Sequence, residues 1–348
     1  METKVYHLDE INPDMSILQY AAEVIKGGGT VVFPTETVYG LGANALDENA
    51  SKKIFAAKGR PQDNPLIIHV AHKDVREYAL SIPEEAKLLM DLFWPGPLTI
   101  ILRKSGIIPD VITAGLNSVA IRMPSNIIAS RLISLAGVPI AAPSANISGR
   151  PSPTDVKHVI DDLSGRVDMI LGGGKTDVGL ESTVIDMTGR PAILRPGGIS
   201  YEDLKNVLKD VYIDPAIMSA PDSKLKPKSP GMKYRHYSPK ADMFIVEGET
   251  SWVIDKINTL CQENISMHKR VGILATDGTM NQYKNGLVLT MGDRNYPDTI
   301  AASLFDRLRE FDNLGVDIIF AESVVEDHIG LAIMNRMRKA AGYNSIQA

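Results

Sequence analysis

Apolar and polar residues alternate along the first two-thirds of the chain in short blocks of two kinds. Short apolar runs, typical of buried strands, predict strands over 30–33, 66–70, 98–102, 119–123, 138–142, 169–171, 183–187 and 192–195. Amphipathic stretches and capping patterns predict helices over 49–57, 84–93, 126–136, 154–163 and 200–209. Strands outnumber helices, and their spacing is irregular. The order therefore indicates an α/β fold with a strongly twisted mixed sheet and helices packed against it.

The pattern changes beyond residue 210. Between 213 and 240 periodicity disappears, and five prolines with six basic against two acidic residues predict a linker. From 241 onward, strands at 243–246, 271–275, 287–290 and 318–321 alternate with helices at 251–261, 299–311 and 331–341. We therefore expect a first domain over 1–212, a linker over 213–240, and a small Rossmann-like α/β domain with a parallel sheet over 241–348.

Composition narrows the class of protein. The chain has 348 residues, 44% hydrophobic and 23% charged, which is typical of a globular protein with two domains. A net charge of −5 argues against a uniformly basic nucleic-acid surface. The single cysteine, Cys261, excludes an internal disulfide and indicates a reducing compartment, with the thiol buried in a helix. With no long apolar run and no signal-peptide pattern, we expect a cytoplasmic protein without membrane contact.

Residues 58–69 concentrate charge around two prolines. Lys58 and Arg60 stand where a predicted helix ends at Gly59, with an amide at Asn64 and an imidazole at His69 further along. Fixed cations beside a rigid loop suit a phosphate-bearing ligand. Cations in a last helical turn also interact favourably with the helix dipole, and taken alone the stretch favours that second interpretation.

Other polar clusters follow predicted strands. Residues 33–42 place two threonine hydroxyls and a carboxylate on a loop stiffened by Pro34. Residues 142–152 carry four short hydrogen-bonding side chains, more than one turn needs, and 181–184 adds two hydroxyls. Arg122 lies inside a strand, where a cation needs a carboxylate or phosphate partner, internal or bound.

Three further sequence patterns give weaker evidence for a binding site than the clusters above. Residues 172–176 resemble the end of a P-loop, but Met169 occupies the place of its first glycine. Residues 40–45 fit a degenerate dinucleotide fingerprint, although a polar loop leads into it, so a nicotinamide enzyme is one alternative. His69 and His72 have neither a cysteine nor a third histidine nearby, so we expect no metal site formed by dedicated protein ligands.

Four motifs in order resemble the threonylcarbamoyl-AMP synthase family. They are PTETVYG at 34–40, KGRP with NPLIIH at 58–69, WPGPLT at 94–99 and APSANISG at 142–149. The resemblance covers about residues 10–210 as a YrdC-like domain, and the remainder resembles the longer, two-domain branch. It implies an enzyme that joins L-threonine, bicarbonate and ATP into threonylcarbamoyl-AMP and releases pyrophosphate. The product would feed the threonylcarbamoyladenosine modification of tRNA beside the anticodon, through a downstream tRNA-modifying complex.

The resemblance also implies which residues form the site. L-threonine would be contacted by Thr37, His69, Arg122, Ser182 and the backbone at Ala142. ATP would be contacted by Lys58, Arg60, Asn64, Ser118, Ser144, Asn146, Ser152, Arg195 and Tyr234. The catalytic pair, Lys58 and Arg60, would hold the triphosphate and stabilise charge on the departing pyrophosphate, helped by Mg²⁺. Arg122 would clamp the threonine carboxylate as a bidentate fork.

Two further questions stay open at this point. The linker aromatics Tyr234, His236 and Tyr237 predict a lid over the site, and the alternative is a strap that packs on a surface. A double-stranded RNA binding module is another alternative, with Lys52 and Lys53 joining Lys58 and Arg60 along a groove. An RNA affinity that falls steeply with rising salt concentration, without ATP turnover, would favour the RNA-binding alternative. Direct tRNA binding is compatible with the synthase function but is not required by it.

Overall fold

The structure, a computed structural model, describes residues 2–217 and 236–348. These residues form two compact units, one of 2–148 with 152–217 and one of 149–151 with 236–348. Most of the predicted linker, including Tyr234, lies outside the described residues. Within them, no helix is long and apolar enough to cross a membrane.

The first unit is built on a mixed sheet. Its strands in the described residues are β1 (Lys4–His7), β2 (Val31–Phe33), β3 (Gly40–Asn44), β4 (Ile67–His69), β5 (Leu98–Arg103), β6 (Ser118–Arg122), β7 (Ile140–Ala141), β8 (Met169–Gly172), β9 (Thr183–Asp186), β10 (Ala192–Arg195) and β11 (Tyr212–Ile213). Their order is β1-β8-β2-β3-β7-β4-β6-β5-β9-β10-β11. β6 runs parallel to β4 and antiparallel to β5, which confirms the predicted mixed sheet.

The helices described in this unit include the five predicted from the sequence and two that were not predicted. They are α1 (Met15–Lys26), α2 (Glu48–Lys58), α3 (Glu84–Phe93), α4 (Asp110–Thr113), α5 (Ile127–Ala136), α6 (Val156–Leu163) and α7 (Tyr201–Val207), with a 3₁₀ turn at Pro215–Ile217. α7 begins with a capping box in which Ser200 and Asp203 bond each other's backbone N–H groups. α2 ends at Gly59, whose φ of 61° is left-handed, as predicted for its C-cap.

Alternation along the central strands separates the apolar core from a polar face. Ile68, Ile100 and Ile121 belong to the largest cluster of buried apolar side chains. Because successive strand residues point to opposite faces, their neighbours in β4, β5 and β6 face away from that cluster. The polar residues at 69, 99 and 122 therefore share the face opposite the main core.

The second unit is built on a parallel sheet. Its strands are β12 (Asp242–Glu247), β13 (Val271–Ala275), β14 (Leu287–Thr290), β15 (Ile318–Glu322) and β16 (Ser345–Gln347), in the order β14-β13-β15-β12-β16. Its helices are α8 (Thr250–Ser266), α9 (Pro297–Leu314) and α10 (Gly330–Ala340), with a 3₁₀ turn at Met280–Gln282. Every pairing in this sheet is parallel, which confirms the sheet type expected here. Cys261 is buried in α8, as predicted.

A buried carboxylate joins three elements of the second unit. Glu322, fully buried at the end of β15, accepts hydrogen bonds from Thr276 Oγ1 (2.9 Å), Thr279 Oγ1 and Tyr283 Oη (2.6 Å). Arg294 Nη2 forms an ion pair with it at 2.8 Å. These four partners offset the cost of removing the carboxylate from water.

Tyr237 belongs to the packed interior of the second unit. It is 4% exposed, and its ring stacks on Phe305 with centroids 5.0 Å apart. The Arg336 guanidinium lies 5.6 Å from the centroid of the same ring. At this position the aromatic ring therefore packs within the second unit.

Candidate functional site

Three polar side chains from adjacent strands lie side by side on the face opposite the main core. His69 at the end of β4 is paired in register with Arg122 at the end of β6, and Arg122 is paired with Thr99 in β5. Residues directly opposite one another in a ladder project to the same face. The sheet itself therefore brings together a neutral ring, a cation and a hydroxyl.

The Arg122 guanidinium is fixed on one side and keeps donor capacity on the other. It is 4% exposed, and its Nη1 donates to Thr37 Oγ1 at 2.8 Å. Its Nη2 lies 2.8 Å from Glu36 Oε1, but the angles are not those of a hydrogen bond, and Nη2 has no hydrogen-bond partner. This is an ion pair that leaves the Nη2 donors available to a ligand.

A tight loop between β2 and β3 positions Glu36 and Thr37. Thr35 Oγ1 lies 2.7 Å from Val38 O, to which it donates, and 2.8 Å from Thr37 Oγ1. It also accepts from the backbone N–H of Val38 at 3.3 Å. These local bonds, typical of Ser and Thr turns, hold the next two side chains towards Arg122.

His69 is a neutral ring in this site. Burial, and then the positive charge of Arg122, lower its pKa from 6.5 to about 3. Its Nδ1 is buried without a hydrogen-bond partner, and Phe33 meets the ring edge-on with centroids 6.3 Å apart. The imidazole therefore adds no positive charge beside Arg122, and it offers one ring nitrogen to a ligand.

Ser182, a predicted threonine contact, is hydrogen-bonded directly to Arg195, a predicted ATP contact. Its hydroxyl is fully buried, lies 2.7 Å from Thr99 Oγ1 and accepts from Arg195 Nη2 at 3.0 Å. Arg195 Nε donates to the Ser182 carbonyl at 3.0 Å. Beside it, Ser152 Oγ donates to Glu181 Oε1 at 2.6 Å. The two predicted subsites thus share one hydrogen-bonded row.

Lys58 is turned inward. It is 2% exposed, and its Nζ donates to the carbonyl oxygens of Asn146 (2.5 Å) and Ser144. Ser144 Oγ donates to Asn146 Oδ1 at 2.6 Å, so three predicted ATP contacts form one group. An inward ammonium does not line an open groove, so the groove proposed for double-stranded RNA is wrong at Lys58. Lys53 is exposed and donates to Gly28 O at 2.7 Å.

Arg60 braces the loop that follows it. Its Nη2 donates to the carbonyl oxygens of Asn64 and Pro65, each at 3.2 Å. The Asn64 side chain is 1% exposed, and its Oδ1 has no hydrogen-bond partner, so it is an acceptor available to a ligand. Within residues 2–217 and 236–348, no three His, Cys, Asp or Glu side chains are grouped to hold a metal ion.

Two predicted contacts do not place a side chain in this group: Ser118 lies apart from it, and Ala142 was predicted to act through its backbone. Ser118 begins β6, four residues and about 13 Å from Arg122. It lines a separate surface cleft with Arg103 and Asn117. The backbone N–H of Ala142 donates to Ile67 O at 2.9 Å, within the sheet.

The glycines considered as a dinucleotide fingerprint form strand β3, paired antiparallel to β2 and β7. A dinucleotide fingerprint requires a strand, a glycine turn and then a helix, so the nicotinamide alternative is wrong. Conversely, sequence reasoning assigned no role to Glu36, Thr99 or Glu181. Glu36 stands in the PTETVYG motif, so the signal for it was present, whereas Thr99 needs the strand register to be found.

Comparison with known proteins gives consistent results for both units. A family model for Sua5, YciO and YrdC proteins, described as "Telomere recombination", matches residues 23–197. A second model, described as "Threonylcarbamoyl-AMP synthase, C-terminal domain", matches residues 199–342. The threonylcarbamoyl-AMP synthase of Pyrococcus abyssi is 51% identical over 332 residues, covering 95% of each chain. That of Bacillus subtilis is 46% identical over 348 residues, covering 98% of this chain and 99% of the relative.

A solved structure is similar across the same length. The crystal structure of P. abyssi Sua5 complexed with L-threonine matches with a TM-score of 0.94 and 48% sequence identity. The match covers 99% of this chain and 100% of that one. The similarity therefore extends over both units and not only over the first.

Proposed function

The chain belongs to the threonylcarbamoyl-AMP synthase family in its two-domain Sua5 form, and from this we propose how its residues handle the substrates. The family and fold class expected from the four motifs are confirmed. The protein is a threonylcarbamoyl-AMP synthase, an enzyme that uses ATP to form an adenylate. The assignments of bicarbonate, Mg²⁺ and individual residues below are our proposals.

The observation that carries the threonine assignment is the unpartnered Nη2 of buried Arg122. A guanidinium with free donors on one edge binds a planar carboxylate strongly and with defined orientation. Thr37, His69 and Ser182 lie around it and offer hydroxyl and imidazole groups for the threonine hydroxyl. The backbone at Ala142 would complete this subsite.

We propose that ATP binds next to threonine, at the end of the hydrogen-bonded row formed by Arg195 and Ser152. Bicarbonate and threonine would combine into a carbamate, whose oxygen attacks the α-phosphorus and displaces pyrophosphate. A carbamate is a weak nucleophile, so positioning and charge stabilisation must supply most of the acceleration. The proposed ATP contacts are Lys58, Arg60, Asn64, Ser144, Asn146, Ser152, Arg195 and Tyr234, together with Ser118, which lies apart from this row.

Lys58 and Arg60 would act differently from free surface cations. Lys58 already bonds carbonyl oxygens of the Ser144–Asn146 loop, and phosphate oxygens would replace one of these acceptors when ATP binds. Arg60, braced on the Asn64 carbonyl, keeps its charge near the loop without reorganisation. Mg²⁺, which favours phosphate with one or two protein oxygens, fits the unpartnered Asn64 Oδ1 and would neutralise the triphosphate charge.

We propose that the product is passed on in the cytoplasm. A mixed anhydride hydrolyses readily, so it would be transferred directly to the complex that modifies tRNA beside the anticodon. The buried Cys261 thiol is compatible with a reducing compartment.

Pyrophosphate release tests the substrate assignment. Release should require L-threonine and bicarbonate together, because the nucleophile forms only when both are present. Valine is the control, since it replaces the threonine hydroxyl by a methyl group of similar size. A site built to hydrogen-bond that hydroxyl should reject valine by on the order of 10⁴-fold. Equal release with valine, or with ATP alone, would refute the assignment.

A further inference from the structure

Glu36 is a buried carboxylate with unused hydrogen-bonding capacity in the threonine subsite. Its residue is 6% exposed, and neither carboxylate oxygen has a hydrogen-bond partner. Among the described residues it pairs with Arg122 Nη2 at 2.8 Å, in a geometry that satisfies neither group as a hydrogen bond. Buried carboxylates are ordinarily hydrogen-bonded, so an unsatisfied one beside a ligand site requires an explanation.

The unused groups match the two charges of an amino acid. Arg122 Nη2 presents donors, and Glu36 presents acceptors, on adjacent atoms of one ion pair. An α-amino acid carries a carboxylate, which needs donors, and an ammonium, which needs acceptors, on one carbon. A neutral zwitterion on a neutral Arg–Glu pair also avoids burying net charge.

We propose that Glu36 binds the ammonium of L-threonine while Arg122 binds its carboxylate, and that Glu36 takes the proton which must leave before the nitrogen can react. This inference rests on the proposed function. The ammonium gives one proton to a Glu36 oxygen, and the freed nitrogen lone pair forms the N–C bond with the carbon of bicarbonate. The second nitrogen proton leaves with the displaced hydroxide as water, which leaves a carbamate and a protonated Glu36.

Glu36 has two carboxylate oxygens without hydrogen-bond partners in this subsite, which favours it as the proton acceptor. His69 is the other candidate base, but burial, and then the charge of Arg122, lower its pKa to about 3, so its affinity for a proton is low. Thr35 and Thr37 hold the loop in place and are not bases at neutral pH.

A pair of ligands tests ammonium recognition without chemistry. Titration calorimetry would compare L-threonine with 2,3-dihydroxybutyrate, in which a hydroxyl replaces the ammonium. Wild-type protein should bind threonine on the order of 10²-fold more tightly, the effect of a charge-assisted contact. Glu36→Gln should bind the two within a few-fold of each other. Glu85→Gln, which alters an exposed carboxylate of the same unit, should keep the preference and is the control.

Rates test the proton transfer. Glu36→Gln should lower the rate of threonylcarbamoyl-AMP formation at pH 7.5, and raising the pH to 9 should restore part of it, since more threonine then carries a neutral amine. A defect of equal size at both pH values would overturn the role as proton acceptor. Equal binding of the two ligands by wild-type protein, or a preference retained in Glu36→Gln, would overturn the whole inference.

Failure of the variant to fold and failure of the proposed function can each be distinguished from failure of this inference. If Glu36→Gln does not fold, the wild-type ligand ratio and the Glu36→Asp variant, which keeps the charge on a shorter arm, decide the matter. Glu36→Asp should retain a reduced preference for threonine, and a complete loss would count against the inference. If wild-type protein releases no threonine-dependent pyrophosphate, the proposed function fails and this inference with it. Normal synthesis without a ligand preference would overturn the inference alone.

Discussion

Replacing His69 by Gln should remove a pH dependence from the unfolding of the first unit. In the folded protein the pKa of His69 is lowered from 6.5 to about 3, first by burial and then by the charge of Arg122. The unfolded chain regains the ordinary value. Between these two pKa values the unfolded state binds a proton that the folded state does not, so the free energy of unfolding decreases as the pH falls.

The size of the effect follows from the two pKa values. At pH 7.5 the ring is mostly neutral in both states and contributes little. A pH of 5.0 lies about 1.5 units below the ordinary pKa of 6.5, and at 1.36 kcal/mol per unit the loss of unfolding free energy is about 2 kcal/mol. This figure is set by the unfolded state, and any folded pKa below about 4 gives nearly the same result.

Urea unfolding at pH 7.5 and 5.0, followed by tryptophan fluorescence, measures the difference. Trp94 is 3% exposed in the first unit, whereas Trp252 is 63% exposed in the second, so a Trp252→Phe background makes the signal report the first unit. In that background, the decrease in unfolding free energy between the two pH values should be about 2 kcal/mol smaller for His69→Gln. His72→Gln, at an exposed position nearby, is the control and should keep the full decrease. An equal decrease in the parent and in His69→Gln would refute the reasoning.

Three further predictions address other parts of the chain. Arg122→Leu should chiefly raise the KM for threonine, and Lys58→Ala should chiefly lower kcat. Each loss of a charge-assisted contact should cost roughly 2 to 4 kcal/mol. Steady-state kinetics that show the same change in both variants would contradict this division. Gly59→Ala should destabilise the first unit by about 1 kcal/mol in urea unfolding, because its φ is 61° although no atom lies within 4 Å of the added Cβ. Thr276→Val should cost roughly 1.5 to 3 kcal/mol in calorimetric unfolding of the second unit, because Glu322 loses a hydrogen bond, and an unchanged transition would show that the carboxylate is satisfied otherwise.

Periodicity and caps were sufficient for most of the fold. The predicted strands 192–195, 271–275 and 287–290 and the helix 84–93 have the observed bounds. Strand β3 was missed because its glycines are typical of a loop. A Cβ on Gly42 would approach Ile140 and Phe33 to 2.6 Å, so glycine is there for close packing and not for a turn. Helix α1 was also missed, although Asp14 and the buried residues at 18, 21, 22 and 25 carry a regular helical signal.

The site was predictable as a set of residue types but not as an arrangement. Motifs supplied Thr37, His69 and Arg122, yet the contact between Arg122 and Thr37 joins residues 85 positions apart. That contact depends on strand register, which periodicity does not determine across a mixed sheet of long-range pairings. The inward orientation of Lys58 depends on a loop nearly ninety residues away, so composition alone suggested an exposed cation.

The placement of the proposed threonine contacts His69 and Arg122, and of their neighbour Thr99, in three adjacent core strands would limit how this enzyme can change its choice of amino acid. Enzymes that recognise substrates with surface loops can exchange those loops while the scaffold stays intact. Here each of these three residues is next in its strand to Ile68, Ile100 or Ile121, which hold the sheet to its core. A shift of one residue in any of these strands would turn the recognition face inward and the core face outward. New specificity must therefore arise from single side-chain replacements of matched volume, and the backbone of the pocket should open only when the whole unit unfolds.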